Sequence, residues 1–369
     1  MSDGSEPPQR SAPVLDRVRD FSRQIEGHYL DTATYGIPPA SVVEAVSDEL
    51  TRWRAGVADW REDWEAEADA ARGLFAGLLR VPTNSIALMP AVSVATSIVA
   101  TAVPPGGEVL VAEEDFVSLL YPFLEAERRG RLRVRVVPLT QLVDAVGADT
   151  AMVAVSHVQS RDGTVADIAA LREATDRVGG ALYLDATHSV GVLPVAGSAW
   201  RADYLSCAAY KWLCCPRGVG FLFVEPSRWS DPISAAASWR GEGRLHAPHY
   251  GPSLDLTDDA RRFDVSVGWH AWVGARPALE AITAVGETRR HEFARSLGRR
   301  LAEQLELPAP GAGIVNVPID DAGRTREALR RRGVRATVRD DEVRVSPHFY
   351  NTEEDIDAAV AAFRSCRTP

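Results

Sequence analysis

From residue 86 onward, short apolar runs alternate with amphipathic ones. The short runs are rich in Val, Ile, Leu and aromatic residues and read as buried strands. They are Ile86–Met89, Glu108–Val111, Leu132–Val137, Thr150–Val155, Ala181–Leu184, Asp203–Cys207 and Val219–Val224. Apolar residues recur at helical spacing between most of them, over Val92–Ala102, Ser118–Arg128, Gln141–Val146 and Ala166–Val178. The alternation predicts an α/β fold: a seven-stranded, mostly parallel sheet with helices on both faces. The segment joining the last two runs is short for a parallel crossover, which marks Val219–Val224 as the candidate antiparallel strand.

The flanking chain has other patterns. Met1–Pro13 is polar and proline-rich and reads as a disordered tail, and Ala12–Gln24 carries Val14, Val18 and Phe21 at helical spacing. Tyr29–Pro39 is a strand-like start followed by a turn, and Ala40–Leu79 reads as one or two amphipathic helices. Ser227–Asp259 is a long loop rich in Ser, Gly, Pro and Ala, of the kind that lines sites; Trp239, Arg240 and Tyr250 are its candidate pocket residues. A mainly helical stretch, Phe263–Glu306, leads to a smaller α/β unit. That unit holds strands Gly313–Pro318, Val334–Thr337 and Glu342–Ser346 and helices Ala322–Arg332 and Thr352–Arg364. The expected division is an arm over 1–28, a large domain over 29–262, and a linking helix with a small domain over 263–369.

Composition narrows the function classes. The net charge of −10 gives no support for binding nucleic acid or an anionic membrane. No apolar run is long enough to span a bilayer, and Met1–Pro13 has no apolar core of a signal peptide. Four cysteines in 369 residues are no disulfide framework, and no CxxC or HExxH spacing suggests a metal. A cytoplasmic protein without metal is the expectation.

One residue stands apart. Lys211 is the sole lysine among 41 basic residues, and it lies between the apolar runs Ala202–Ala208 and Gly218–Val224. A lysine between buried strands is costly unless it is paired or chemically used. A desolvated amine loses basicity and becomes nucleophilic, as Schiff-base chemistry requires. Other candidates fall at strand ends, where ligands collect in open parallel sheets. Asp185 ends a strand in Leu182-Tyr-Leu-Asp-Ala-Thr-His188 and suits a protonated ring nitrogen, although an aspartate there also serves as an N-cap. His188 stands three residues on. Ala91-Val-Ser-Val-Ala-Thr96 opens a helix directly after a strand, so its free N–H groups and Ser93 suit a phosphate. Phe116 can stack on a planar ring or pack in the core. Gln159 can reach a ring substituent or be an exposed loop amide. Amine, carboxylate, anion site and aromatic together are the set that pyridoxal 5′-phosphate needs. No Walker lysine or GxGxxG follows a strand, which argues against ATP and dinucleotides.

The motifs Tyr210-Lys-Trp-Leu213, Pro216-Arg-Gly-Val-Gly-Phe-Leu222, Asp185-Ala-Thr-His188 and Arg344-Val-Ser-Pro-His-Phe-Tyr-Asn-Thr-Glu-Glu-Asp355 resemble the fold-type I, class V aminotransferase group. That group includes cysteine desulfurases, kynureninases and isopenicillin N epimerase-like enzymes. The resemblance runs from Tyr29 to Arg364. It implies a pyridoxal phosphate enzyme acting on an amino acid-type substrate, aminotransferase-like, with a lyase or epimerase as alternatives and a non-catalytic binding protein as the remotest. It implies that Lys211 joins the cofactor, Asp185 pairs with its ring nitrogen, His188 lies near its phenolic oxygen and Phe116 stacks on it. It implies that Val92, Ser93 and Tyr210 hold the phosphate and that Arg344, or else Arg339, clamps a substrate carboxylate. Tyr35, His157 and His249 are candidates for a second acid or base. The group is usually dimeric, and Ser266 and Val267 fall where a partner subunit completes the phosphate site. Three positions depart from the family pattern: Ala208 stands where serine is common, Cys214-Cys215 where glycine is common, and Ala91 where glycine opens the helix. No cysteine lies between Cys215 and Cys366, which disfavours desulfurase chemistry.

Overall fold

A computed structural model describes residues 21, 25–194, 200–243 and 250–366. The expected tail Met1–Pro13, nearly all of the expected helix Ala12–Gln24, and His249 lie outside the described residues. The chain opens with β1 (His28–Tyr29), the helix Ala40–Ala55, one turn of π-helix over Trp60–Glu65 and the helix Ala66–Leu79. The large sheet then forms from β2 (Ile86–Met89), β3 (Glu108–Ala112), β4 (Arg133–Val137), β5 (Thr150–Ser156), β6 (Ala181–Asp185), β7 (Tyr204–Ala208) and β8 (Gly220–Val224). Their order across the sheet is β2-β8-β7-β6-β5-β3-β4. Only β8 runs against its neighbours. Its direction follows from length, because residues 209–219 leave no room for a crossover helix.

This topology gathers the candidate residues at one edge. β5, β6 and β7 are parallel, with Ser156 beside Asp185 and Asp185 beside Ser206, so their carboxyl ends coincide. Met89 and Ala208 both pair with Gly220, which brings the end of β2 to the same edge. The helix Val92–Val99 therefore starts beside the Lys211 turn. Strands buried on both faces explain the continuous apolar runs, and separate apolar clusters pack the two faces. Phe75 stacks on Phe221 in one cluster at 4.1 Å, and Phe123 meets Tyr183 edge-on in the other.

The C-terminal part begins with the helices Trp269–Val273, Ala275–Val285 and Glu287–Leu305. A second, antiparallel sheet has the order β11-β12-β9, from β9 (Val315–Pro318), β11 (Thr337–Val338) and β12 (Glu342–Val345). The helices Ala322–Arg331 and Glu353–Cys366 cover it through Leu329, Ile356 and Phe363. Two expectations need correction. The expected strand Val334–Thr337 is split: β10 (Val334–Arg335) pairs with β1, and Thr337–Val338 pairs with β12. One stretch serves two sheets and breaks at Ala336. The expected helix Gln141–Val146 is a single 3-10 turn at Leu139–Gln141 followed by turns, since so few residues cannot offset helix nucleation.

A buried ion network ties the helix Ala66–Leu79 to β2. Asp264 accepts from Arg72 through both guanidinium Nη groups, at 2.6 and 3.0 Å, and from Leu88 N at 2.8 Å. Arg240 joins it through Asp69 at 3.0 Å and Glu65. Arg240 therefore anchors its loop to the helix Ala66–Leu79 and the π-helical turn before it. Tyr250 is 90% exposed. Removing one member of a buried pair strands the other charge. Asp264→Ala is expected to lower the unfolding free energy by about 3–5 kcal/mol, measured by urea denaturation.

Candidate active site

Between β7 and β8 the chain folds into a compact turn. Cys214 N donates to Lys211 O at 3.1 Å and Cys215 N to Ala209 O at 3.0 Å. Cys214 adopts φ of 54°, in the left-handed region where glycine is common. All of Cys207, Cys214 and Cys215 are buried, and burial pushes their thiols up, out of the thiolate range. These cysteines pack the turn; they are not poised nucleophiles. The missing serine at Ala208 leaves no backbone orphan, because Ala208 N donates to Thr187 Oγ1 at 3.0 Å. Gly36 seals the turn from outside. Its N–H donates to Tyr210 O at 2.9 Å, and a Cβ there would lie 2.0 Å from Lys211 O and 2.8 Å from Cys214 Sγ.

Lys211 is 8% exposed, and burial, with Arg344 adding to it against the pull of Asp185, lowers its amine to about 8. Nζ lies 2.9 Å from His188 Nε2 and 5.5 Å from the centre of the Phe116 ring. Tyr210 is half-buried, with the Lys211 amine 5.9 Å and the Arg217 guanidinium 5.4 Å from its ring centre. Asp185 is buried, accepts from Thr187 N at 2.9 Å, and is raised by burial against the pull of that bond and of Lys211. His188 is buried, accepts the Trp212 indole N–H at 3.0 Å on Nδ1, and is held well below the usual imidazole range by burial and then by the charges of Lys211 and Arg344.

Asp115, one residue before Phe116, belongs to none of the motifs read in the sequence. It is buried and clasps Phe116 N at 3.1 Å and Ser156 N at 2.9 Å, tying the end of β3 to the end of β5. Burial raises it to about 6, against its bonds to Ser156. Its only sequence signal is its place beyond a strand. Gln159 is 1% exposed, so it is not an exposed loop amide; its Oε1 has no partner among the described residues. Val92 and Ser93 open the helix Val92–Val99 after Ala91. The helical ladder begins only with Val94 N and Ala95 N, both on Ala91 O, so the N–H groups before them face outward along the axis.

The small sheet contributes Arg344. It donates to Ser160 O at 2.8 Å and Thr34 Oγ1 at 2.7 Å, lies 3.6 Å from Asp31, and leaves Nε buried without a partner among the described residues. Arg339 is instead occupied by Glu342 and Arg161 O. Tyr35 is 44% exposed, leans on Tyr29 and lines a surface cavity with Phe21, Ile25 and Val43. His157 sits edge-on to Trp200 at 4.8 Å. Ser266 is exposed and Val267 buried. The structure thus brings Lys211, Asp185, His188, Phe116 and Arg344 into mutual range. Arg339 is paired with Glu342, Tyr35 packs on Tyr29, and His157 donates its backbone N–H to Asp185 O at 3.0 Å while its ring rests on Trp200.

The profile described as aminotransferase class-V matches residues 28–318. The chain belongs to that family. The uncharacterized aminotransferase YcbU of Bacillus subtilis is 28% identical over 82% of this chain and 84% of its own length. The isopenicillin N epimerase of Streptomyces clavuligerus is 26% identical over 89% of this chain and 92% of its own length. Among solved structures, a lysine-to-alanine mutant of C-DES, with glycine covalently linked to the cofactor, superposes with a TM-score of 0.84 at 20% identity, over 94% of this chain and 99% of that one. A cysteine desulfurase from Thermococcus onnurineus superposes at 0.82 with 18% identity, covering 98% and 99%.

Family members are pyridoxal phosphate enzymes, and the residues here fit that cofactor. The amine is buried and lowered, an aromatic ring lies over it, Gln159 Oε1 is an orphaned acceptor, and a helix start offers free donors at the same sheet edge. Because Gly36 leaves no room for a Cβ, Gly36→Ala is expected to push the Lys211 turn outward. Thermal unfolding should show a Tm lower by several degrees, about that expected for an overpacked core site, together with weaker cofactor retention on dialysis.

Proposed function

We propose that the protein transfers an amino group from an α-amino acid or amino acid-derived metabolite, with Lys211 as the base that carries the proton at the substrate Cα. The buried, lowered amine of Lys211 beside Phe116 and His188 carries this reading. Pyridoxal phosphate, when bound, supplies the electron sink that makes the Cα proton removable. The chain supplies the rest. Among the described residues Asp185 has no arginine or lysine bonded to it, which suits it to hold a proton on a ring nitrogen. With the cofactor bound, Phe116 would shield one face, Val92, Ser93 and Tyr210 would receive the phosphate, His188 would donate to the ring oxygen, and Gln159 would contact a ring substituent. Arg344, with Nε unpaired, is the fork for the substrate carboxylate. Arg339 is a poorer choice because Glu342 already neutralises it.

The relatives named an epimerase and desulfurases indicate other chemistries on this scaffold. Two observations favour amino transfer. Racemisation calls for a second base, and of the described candidates Tyr35 packs its ring on Tyr29 and His157 packs its ring on Trp200. Desulfuration calls for an accessible thiolate, and three of the four cysteines are buried and raised. A homodimer in which Ser266 of one copy completes the other's phosphate site, in the cytoplasm, belongs to the same proposal. Its support is the exposure of Ser266. Among the described residues no helix is long and apolar enough to cross a membrane.

Lys211→Ala is expected to abolish turnover, by on the order of 10³-fold or more, and to remove the spectral response of the holo-protein to amino acids. A retained response places the reactive amine elsewhere. Arg344→Lys keeps the charge but loses the fork, so KM for the amino acid should rise by about tenfold with kcat changed less. An unchanged KM, read from initial rates, moves the clamp off Arg344.

A further inference from the structure

Lys211, His188 and Trp212 form a chain of hydrogen bonds whose proton positions are determined by one of them. An indole nitrogen only donates. Trp212 Nε1 lies 3.0 Å from His188 Nδ1, so Nδ1 must accept and carries no proton. A neutral imidazole then holds its single proton on Nε2, the nitrogen 2.9 Å from Lys211 Nζ. An imidazolium is excluded, because its Nδ1–H would oppose the indole N–H. The Nε2–H can donate to the lysine only if the lysine has a lone pair, and an ammonium has none.

We propose that Trp212 is a positioning residue for Lys211: its indole N–H fixes His188 with the proton on Nε2, and His188 in turn favours the free-base form of the lysine amine over the ammonium. The amine required for condensation with a carbonyl is thereby set by hydrogen-bond polarity as well as by burial. When the amine turns to such a carbonyl, the Nε2–H stays in place as a donor to the same space. The other charged groups around the amine do not fix its protonation in one direction. Asp185 and Asp31 favour the ammonium, and Arg344 opposes it.

Trp212 is well suited to act as a fixed reference. It is fully buried. Gly313, from the segment before β9, lies against the ring edge, where a Cβ would stand 2.9 Å from Cη2. The Trp212 carbonyl accepts from His348 Nε2 at 3.0 Å, while His348 Nδ1 accepts Phe349 N at 2.9 Å, so His348 too has a determined proton. The indole is thus gripped by residues of the small-sheet region while it orients a histidine of the large one.

The proton pattern rests on geometry, and only its catalytic consequence rests on Lys211 being the cofactor-bearing amine. Because Lys211 is the sole lysine, the full-length cofactor-free protein labelled with ¹³C,¹⁵N-lysine gives one side-chain signal to titrate. Histidine ¹⁵N shifts, assigned by loss in His188→Gln, report the tautomer directly. The wild type is expected to show the Nε2–H tautomer and a lysine midpoint near 8. Trp212→Phe frees His188 to accept from an ammonium, and the neutral fraction of Lys211 at pH 7 should fall by about tenfold. His188→Gln keeps the pattern, with Oε1 accepting the indole and Nε2 donating to the amine. In His188→Leu, which offers neither a donor nor an acceptor, Trp212→Phe should change the neutral fraction by less than about twofold. An unchanged lysine titration in Trp212→Phe, or an Nδ1–H tautomer in the wild type, overturns the proposal. The wild-type tautomer decides alone should Trp212→Phe not fold. Failure of the cofactor reading would show separately, as a holo-protein without an adduct at Lys211.

Discussion

The structure depends on keeping a primary amine almost out of water without a carboxylate bonded to it. Lys211 has no acidic partner within salt-bridge distance among the described residues; its hydrogen-bond partner is an imidazole. Full desolvation of an ammonium is costly, and proteins commonly relieve it by giving up the proton. Much of the surrounding architecture makes this burial possible. The turn from β7 to β8 is too short for a crossover, so it reverses one strand and lifts the lysine to the carboxyl edge of the sheet. Gly36 presses the N-terminal segment onto the turn from outside, and Thr187 and Asp185 stand on the next strand end.

The two sheets are joined around this point. β1 pairs with β10 of the small region, Asp31 and Thr34 reach Arg344 and Thr337, and Asn351 donates to Tyr29 O at 2.8 Å. Arg344 also donates to Ser160 O in the loop after β5. The guanidinium is thus oriented by both parts of the molecule. Its position relative to the lysine depends on how they seat, and a small shift between them would change both carboxylate reach and the charge that Lys211 feels.

Legibility in the sequence followed the physics of each element. Strands buried on both faces leave uninterrupted apolar runs, so all seven large-sheet strands stood within a residue or two of their observed bounds. The antiparallel β8 was legible from connection length alone. Class V resemblance was legible in the motifs around Asp185 and Lys211, and the family match over residues 28–318 bears it out. Side-chain pairings were less legible. Trp212 stands in a motif, yet nothing in its spacing indicates that its indole meets His188, because the contact joins the β7–β8 turn to the end of β6. Arg240 looked like a pocket residue because its loop is long; its burial against Glu65, Asp69 and Asp264 depends on partners far away in sequence. Ala208 and the paired cysteines looked like gaps in a pattern. The structure shows Thr187 satisfying the one and the other two filling core space.

The proposed chemistry stands on Lys211 being the amine that the cofactor engages. The most direct measurement is intact-mass and peptide mass spectrometry of the holo-protein after borohydride reduction. A single reduced pyridoxyl phosphate adduct on the peptide that contains Lys211 is the expected result, and the lack of any other lysine makes the assignment unambiguous. No adduct, or one confined to the N-terminal amine, would contradict it.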